Sequence, residues 1–283
     1  RQSISNTIRF SAVFMIPGAL LGVPASIFAI MGPIHLFMQL WYHTQLIGRM
    51  GFLEHVIVTP SHHRVHHAIN PEYIDKNYSQ IFIIWDKLFG TFAREEEDNQ
   101  PVYGILKPVR TWNPVLINFK HAWQLMQDAW HSQGIWDKIR IWFMPTGWRP
   151  AEIKEKYPVE LIEDPSKQSK FSTNNSLIQI CFCWMQLMFT SVFIFHLFIT
   201  MDAFNTPIVL LYGAFILLHV FSYTSVLDMK QYAFLGEIGK LSIAIYLLSA
   251  LQFTWFGLDG IYVLCFSSYL LISFAITFYI LNI

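Results

Sequence analysis

Residues 176–200 read SLIQICFCWMQLMFTSVFIFHLFIT, a run of 25 residues without a charged side chain. About 20 apolar residues in a helix are enough to cross the hydrocarbon core of a bilayer. Three further apolar stretches follow, at residues 205–227, 233–255 and 258–283. The stretch at 233–255 carries Glu237 and Lys240 near its start, so we expect it to lie partly at the membrane interface. The region 176–283 therefore predicts three or four transmembrane helices.

The front of the chain, residues 1–48, is also apolar, but Pro17, Pro24 and Pro33 interrupt it. A proline lacks a backbone N–H and kinks or ends a helix. We expect either two short helices, spanning or re-entrant, or one kinked spanning helix. The region 1–48 is thus interpreted as apolar membrane helices broken by prolines.

The distribution of charge supports a membrane protein. Apolar residues make up 54% of the 283 residues and charged residues 13%, against about 25% charged in an average soluble domain. Residues 49–170 hold 30 of the 38 charged side chains, so a polar middle lies between two apolar ends. Basic and acidic residues are equal at 19 each, which gives no electrostatic indication of a nucleic-acid partner. The sequence predicts an all-α, multi-span helical membrane protein.

Seven of the eleven histidines fall between His35 and His67, and four of them lie in the run HHRVHH at residues 62–67. Thr59-Pro60-Ser61 precedes the run and is typical of a helix start. Pro71 follows and favours an end to the helix just before it. At 100° per residue, the four imidazoles project over less than half of the helix circumference. They are His62, His63, His66 and His67.

Imidazoles on one face of a helix are suited to iron, zinc, copper or nickel. We predict His63, His66 and His67 as metal ligands, with His62 as a further candidate. A metal site rarely rests on one helix, and His43 lies at the end of the second apolar segment, where its ring can face the cluster. We therefore add His43 to the predicted ligands.

Asp86 lies in the apolar run IFIIWD at residues 81–86, where an unpaired charge would be unfavourable. We predict that Asp86 is buried with a partner and orients the ligands from behind. No catalytic residue beyond the metal ligands is predicted, and no cofactor-binding residue is assigned.

The string PSHHRVHHAINPEYIDKNYSQIFIIWDKLFGTF at residues 60–92 resembles the fatty acid hydroxylase / sterol desaturase superfamily. His63, His66 and His67 resemble the last histidine box of that family. Asn77-Tyr78 and residues 85–92 resemble the segment that follows the box, and by this resemblance Asn77 and Tyr78 join Asp86 as residues behind the ligands. WYHT at 41–44 and VYG at 102–104 are similar to the branch of the superfamily that acts on ether lipids.

The resemblance implies a multi-pass enzyme of the endoplasmic reticulum membrane. Its histidine-box helix would face the cytosol and hold half of a non-haem di-iron centre. Its partners would be O₂, membrane lipids and an ether-lipid substrate, with tetrahydrobiopterin as electron donor. The reaction would cleave the ether bond of an alkylglycerol to a fatty aldehyde and glycerol or a glycerol derivative.

The chain departs from the family pattern, because the first two histidine boxes, H-x3–4-H and H-x2–3-H-H, do not occur outside the HHRVHH run. We expect that it is the C-terminal portion of the enzyme and is inactive alone, with residues 49–92 as the end of the hydroxylase domain. Two alternatives stay open. One is a sterol or fatty-acyl hydroxylase or desaturase of the same superfamily, and the other is a non-catalytic membrane scaffold with a vestigial metal site.

The region 93–175 is polar and Trp-rich. Its acidic run at 95–98 is interpreted as a solvated turn, and residues 149–175 as a linker. Between them, Phe119, Trp123, Met126 and Trp130 recur at helical spacing. This pattern fits equally a helix in the headgroup interface of the membrane and a helix packed on the catalytic domain.

Overall fold

The computed structural model describes residues 15–145 and 147–282. Within this part of the chain the structure is helical, and the β-bridges are isolated pairs rather than strands. Five helices are long and apolar enough to cross a membrane, at Ala25–Tyr42, Leu177–Ala203, Thr206–Leu227, Ala233–Ala250 and Gly260–Leu281. The prediction of an all-α, multi-span membrane protein is confirmed.

The α-helices are, in chain order, α1 (Ile16–Leu20), α2 (Ala25–Met38), α3 (Pro60–His66), α4 (Ile84–Phe89), α5 (Pro114–His131), α6 (Ile135–Arg140), α7 (Ala151–Lys156), α8 (Leu177–Thr200), α9 (Thr206–Leu227), α10 (Ala233–Ala250) and α11 (Gly260–Leu281). Short 3₁₀ helices occupy Gln39–Tyr42, Gly51–His55, Pro71–Tyr73, Pro165–Lys167 and Met201–Ala203. The front apolar region contains two helices, and Pro33 lies inside the second of them. Residues 1–14, which belong to the predicted region 1–48, lie outside the described part.

Two compact units make up the described chain, and each is assembled from separate stretches of sequence. One unit, here the histidine unit, contains residues 15–108 and 149–169. The other, here the bundle unit, contains residues 109–148 and 170–282. The Trp-rich region predicted at 93–175 is therefore divided between the two units.

The histidine unit has small apolar clusters on both sides of α3. Tyr42, Val58 and Ile83 form one cluster, and Val65 and Ala68 pack with Tyr73 in another. The Tyr42 hydroxyl donates to the Gln80 carbonyl oxygen at 2.8 Å, which fixes the end of the apolar front segment. These contacts place the segment that carries His43 beside the histidine helix.

The bundle unit contains the four long helices α8–α11. Its core is largely aromatic, and the Tyr212, Phe215 and Trp255 rings lie 5.0–6.1 Å apart between centroids. Glycines bring α10 close to α9, because a Cβ on Gly236 would lie 2.8 Å from Ser222 Cβ and one on Gly239 would lie 2.8 Å from Leu218 Cδ1. This close approach is typical of small residues at helix interfaces in membranes.

A pair of opposite charges is buried among the spanning helices of the bundle unit. Glu237 and Lys240 on α10 are 1% and 0% exposed, and Lys240 Nζ lies 2.8 Å from Glu237 Oε1. Lys240 also donates to the Ser273 hydroxyl at 2.8 Å, and the Ser222 hydroxyl donates to Glu237 Oε1 at 2.7 Å. The sequence-based expectation placed these charges at the membrane interface, whereas the structure pairs them inside the bundle.

Candidate metal centre

Helix α3 carries the HHRVHH run, and its start is fixed by local hydrogen bonds. Thr59 is the N-cap and Pro60 occupies the first turn, where the missing N–H of proline has no penalty. The Thr59 backbone N–H donates to His62 Nδ1 at 3.3 Å. The Ser61 hydroxyl donates to Glu54 Oε1 at 2.9 Å, which ties the helix start to the preceding 3₁₀ turn. The helix is therefore held rigidly at the end from which its histidines project.

Three histidines converge on one point. His63 Nε2 lies 2.9 Å from His43 Nε2 and 3.0 Å from His67 Nε2. Ligand atoms of these three residues all lie within 4.8 Å of one another. His63 lies on α3, His67 is the C-cap of α3 one helical turn later, and His43 comes from the segment after the Gln39–Tyr42 turn. The structure thus brings together three of the five predicted ligands.

The hydrogen bonds of this trio favour a cation between the rings. His43 Nδ1 lies 3.1 Å from the Gln39 carbonyl oxygen, which can only accept, so Nδ1 carries the proton and Nε2 a lone pair. His63 Nε2 faces two nitrogens, and one proton can satisfy only one of these contacts. Metal–imidazole bonds of about 2.1 Å place nitrogens at right angles about 3 Å apart. The donor set therefore fits a metal ion.

His66 lies beside the trio but its nitrogen is outside it. The His66 ring stacks at 5.7 Å from that of His63, and its Nδ1 lies 3.3 Å from the Lys76 carbonyl oxygen. As in His43, the carbonyl fixes the proton on Nδ1 and leaves a lone pair on Nε2. His66 is thus prepared as a ligand but is not part of the converging group.

The structure gives His62 a different role. Its side chain is 1% exposed, and its Nδ1 accepts the Thr59 backbone N–H. In the neutral ring the proton then lies on Nε2, so no lone pair is free to bind a metal. The ring packs edge-on against Phe92 at 5.6 Å. His62 therefore acts as a helix-capping side chain.

Burial and neighbouring rings lower the pKa values of His63 and His67 and so favour their neutral forms. Burial, and after it the nearby imidazoles of His67, His43 and His66, together lower the pKa of His63 to about 3. The pKa of His67 is also lowered, first by burial and then by His66 and His43. A neutral imidazole is the form that binds metals.

Arg64 joins the two segments that supply the trio. Its Nε and one terminal nitrogen donate to the two Glu95 carboxylate oxygens at 2.8 and 2.6 Å. Its other terminal nitrogen donates to the carbonyl oxygens of Thr44 and Ile47 at 3.0 and 2.9 Å. Arg64 therefore ties α3 to the backbone just after His43. Sequence analysis missed this contact and placed Glu95 in a solvated turn. The single arginine within HHRVHH and the acidic run downstream are the sequence features that could have indicated this contact.

The three residues predicted to lie behind the ligands hold the surrounding loops. Asn77 is 3% exposed and donates to the carbonyl oxygens of His62 and Ala93 at 3.1 and 2.8 Å. The Tyr78 hydroxyl donates to Asp75 Oδ1 at 2.7 Å, and its ring lies 6.2 Å from that of His66.

Asp86 is 2% exposed and has three hydrogen-bond donors. They are the backbone N–H groups of Tyr78 and Ser79, both at 2.8 Å, and the Thr91 hydroxyl at 2.6 Å. Burial raises the pKa of Asp86, but these hydrogen bonds outweigh it and the pKa is lowered. Asp86 therefore orders the loop after the histidine helix. Among the described residues, its hydrogen bonds go to this loop and to Thr91, not to a histidine ring.

The sequence of the chain is similar to several known proteins. Residues 1–91 match the family model described as fatty acid hydroxylase. The chain is 35% identical over 237 residues to alkylglycerol monooxygenase of Homo sapiens, covering 84% of this chain and 52% of that protein. It is 32% identical over 228 residues to alkylglycerol monooxygenase of Xenopus tropicalis, covering 81% and 50%.

A bacterial protein is similar over a shorter segment. The chain is 34% identical over 94 residues to the ornithine lipid hydroxylase OlsE of Rhizobium tropici, covering 33% of this chain and 28% of that protein. No solved structure matches the chain. The chain spans about half the length of the two alkylglycerol monooxygenases above.

Proposed function

Because the chain fits the fatty acid hydroxylase superfamily and is similar to alkylglycerol monooxygenases over most of its length, we propose that it is the C-terminal part of a membrane monooxygenase. The whole protein is a di-iron enzyme of the endoplasmic reticulum membrane that uses O₂ and tetrahydrobiopterin. It cleaves the ether bond of alkylglycerols to a fatty aldehyde and glycerol or a glycerol derivative. The observation that carries this proposal is the convergence of three imidazole nitrogens within the matched segment.

We propose His43, His63 and His67 as iron ligands of this chain, because their Nε2 atoms meet at one point. His66 is a further proposed ligand, since its Nδ1 is bound to the Lys76 carbonyl and its Nε2 keeps a lone pair. Bound iron would supply the activation of O₂ that hydroxylates the carbon next to the ether oxygen. The remaining ligands would come from the parts of the protein outside these residues.

The other side chains of the histidine unit orient the proposed ligands and do not themselves react. The carbonyl oxygens of Gln39 and Lys76 fix the ring orientation of His43 and His66. Arg64 holds the His43 segment against α3. Asn77 and Asp86 fix the loop that supplies the Lys76 carbonyl. In the overall reaction, one oxygen atom of O₂ enters a hemiacetal and the other leaves as water, with the two electrons taken from tetrahydrobiopterin. The hemiacetal then breaks down to aldehyde and alcohol.

The proposal is tested with the full-length protein in membranes, supplied with an alkylglycerol, O₂ and reduced pterin. We expect fatty aldehyde that depends on the pterin, and a loss of more than about 100-fold in His63→Ala or His67→Ala. His55→Ala, the same change at an exposed histidine outside the converging trio, is the matched control and should retain activity. Turnover of a sterol or fatty acyl chain but not of an alkylglycerol would contradict the substrate.

A second candidate is a hydroxylase of another membrane lipid, which the similarity to an ornithine lipid hydroxylase favours. The same assay distinguishes the two candidates. A simple hydroxylation leaves both chains of the lipid attached and releases no aldehyde. Iron content of the intact protein tests a non-catalytic scaffold, for which we expect less than one iron per chain.

A further inference from the structure

Helix α5 of the bundle unit exposes its apolar residues instead of burying them. Phe119, Trp123, Met126 and Trp130 are 47%, 58%, 45% and 81% exposed. Their spacing of four, three and four residues places them on one face of the helix. We name these four residues the α5 stripe.

Some polar side chains of α5 are turned toward the protein, whereas His121, Gln127 and His131 are exposed. Asp128 is 3% exposed and accepts a hydrogen bond from the Gln124 amide at 2.8 Å. Lys120 is half-buried, and its Nζ donates to the Val109 carbonyl oxygen at 2.8 Å. The helix therefore buries Asp128 while its four large apolar side chains stay exposed. Such a stripe is suited to an apolar environment.

The start of α5 is attached to the end of a membrane-spanning helix. The Asn113 side chain caps α5 by accepting from the Val115 and Leu116 N–H groups at 3.0 and 3.1 Å. The same side chain is 0% exposed and donates to the Ser225 hydroxyl at 2.8 Å. The backbone N–H of Trp112 donates to Asp228 Oδ1 at 2.8 Å.

Ser225 and Asp228 lie at the C-terminal end of α9, where the apolar stretch stops. At about 1.5 Å per residue, α5 begins within about 5 Å of the end of that span. The first turn of α5 is therefore at the level at which the bilayer gives way to water. This attachment favours a lipid environment for the α5 stripe.

The short helix α6 continues the exposed apolar surface. Trp136 and Ile139 on α6 are 67% and 48% exposed, and Phe143, just after its end, is 76% exposed. Asp137 and Arg140 form an ion pair at 2.6 Å. Tryptophans are the side chains that prefer the interface between headgroups and acyl chains.

We propose that α5 and α6 lie along the bilayer surface, with the α5 stripe and the exposed face of α6 inserted among phospholipid headgroups and upper acyl chains. Helices of this kind bury their apolar face about 5–10 Å into that boundary. The bundle unit therefore contacts lipid through an in-plane surface in addition to its spanning helices. This proposal does not depend on the enzymatic function proposed above.

Nitroxide labels test the proposal in the full-length protein reconstituted in phosphatidylcholine vesicles. The background carries alanine in place of Cys181, Cys183 and Cys265, and single cysteines are introduced as Trp123→Cys, Trp130→Cys and Trp136→Cys. Collision of each label with O₂, which concentrates in lipid, is compared with collision with a water-soluble nickel chelate. Met188→Cys, exposed near the middle of α8, is the lipid reference, and Glu155→Cys, exposed on the polar helix α7, is the water reference.

We expect O₂-to-nickel collision ratios at positions 123, 130 and 136 that are several-fold above the ratio at position 155 and below that at position 188. Ratios equal to that at position 155 would show a water-exposed face and overturn the proposal. Protection from both reagents would show that protein covers the α5 stripe and would overturn it as well. The label at position 188 also reports correct folding, because its lipid signature requires an inserted bundle.

Discussion

Two histidines of the cluster, His43 and His66, each bind a backbone carbonyl oxygen through Nδ1. A ring held in this way has its proton fixed on one nitrogen and its lone pair fixed on the other. The adjacent histidines His62 and His63 differ in what their ring nitrogens contact. His62 uses its lone pair to cap the helix, whereas His63 faces His43 and His67.

The pair His62 and His63 provides a matched test of ligand identity. We expect His63→Ala to lower iron content of the full-length protein at least about tenfold, because it removes the central nitrogen of the trio. His62→Ala should keep its iron but lose about 1 kcal/mol of stability through the lost cap. Metal analysis and thermal unfolding in detergent measure the two effects. Equal loss of iron in both variants would make His62 a ligand.

The histidines themselves were readable from the sequence, because helical spacing placed His63, His66 and His67 on one arc. The position of His43 followed from the boundary of an apolar segment. The Gln39 and Lys76 carbonyls were not predictable, since every residue carries a carbonyl and side-chain identity says nothing about which one faces a ring. The sequence alone therefore could not show which three of the five candidate histidines bring their nitrogens together; this required the coordinates.

Among the elements, Arg64 connects helix α3 to the backbone at Thr44 and Ile47, directly after His43. The guanidinium also pairs with both Glu95 oxygens, and the two side chains are only 12% and 14% exposed. The planar fork of arginine suits such a four-way contact, and lysine cannot reproduce it. The relative position of α3 and the His43 segment therefore depends on one residue that binds no metal.

We predict that Arg64→Lys weakens metal binding of the full-length protein by about 10–100-fold, as loss of an orienting partner does. Arg94→Lys, the same change at an exposed neighbour of Glu95, should leave it unaltered. Titration of the metal-depleted protein with Co²⁺, followed by its visible absorption, measures the affinity. Unchanged affinity in Arg64→Lys would remove Arg64 from the positioning residues.

Asp86 controls the loop after helix α3, and its contribution depends on pH. Because its folded-state pKa is lowered below the ordinary value of about 3.9, its stabilising effect is fully present above about pH 4. That effect is lost as the pH falls through the folded-state pKa. We expect Asp86→Asn to cost about 2 kcal/mol at pH 7, with a smaller difference from wild type near pH 3.

Unfolding in detergent across this pH range measures the Asp86 effect. Asp75→Asn is the control, because Asp75 is exposed and a neighbouring acidic residue, and its cost should stay within about 0.5 kcal/mol. A difference between Asp86→Asn and wild type that grows on acidification would contradict the assigned hydrogen bonds.

The element that sequence analysis misjudged is the acidic run at 95–98. A cluster of four carboxylates normally indicates a solvated turn, and residues 96–98 are indeed exposed. Glu95 alone turns toward Arg64, 31 positions earlier. Such long-range pairing leaves no periodic signal, because neither partner's local pattern depends on the other.

At the scale of the whole molecule, the bundle unit carries an ion pair, Glu237 and Lys240, that is almost fully buried. Replacing one partner of a buried pair leaves a charge without compensation, at a cost of about 3–5 kcal/mol. We therefore expect Glu237→Gln or Lys240→Met to destabilise the protein by about this amount. The double variant should be more stable than the weaker single variant, because no unpaired charge remains.

Thermal unfolding of the four proteins in detergent measures these costs. Lys230→Met, an exposed lysine between α9 and α10, is the matched control and should change stability by less than about 0.5 kcal/mol. If the double variant lost as much stability as both single variants added together, Glu237 and Lys240 would be shown not to compensate each other.

At this scale the all-helical, membrane-spanning character was predictable, because length and hydropathy alone define a span. The grouping of the chain into two units was not. Residues 93–175 read as one polar region, yet residues 109–148 belong to the bundle unit while residues 149–169 belong to the histidine unit. Composition reports the environment of a segment and not the partner on which it packs.

The interleaved order of the two units has a consequence for biogenesis. A ribosome releases residues 15–108 first, but the backbone N–H of Ile162 that donates to the Leu106 carbonyl at 2.8 Å is made more than fifty residues later. The histidine unit is therefore completed only after the whole of residues 109–148 has emerged. A premature stop near residue 110 would therefore yield the imidazole cluster without residues 149–169, which belong to the same compact unit.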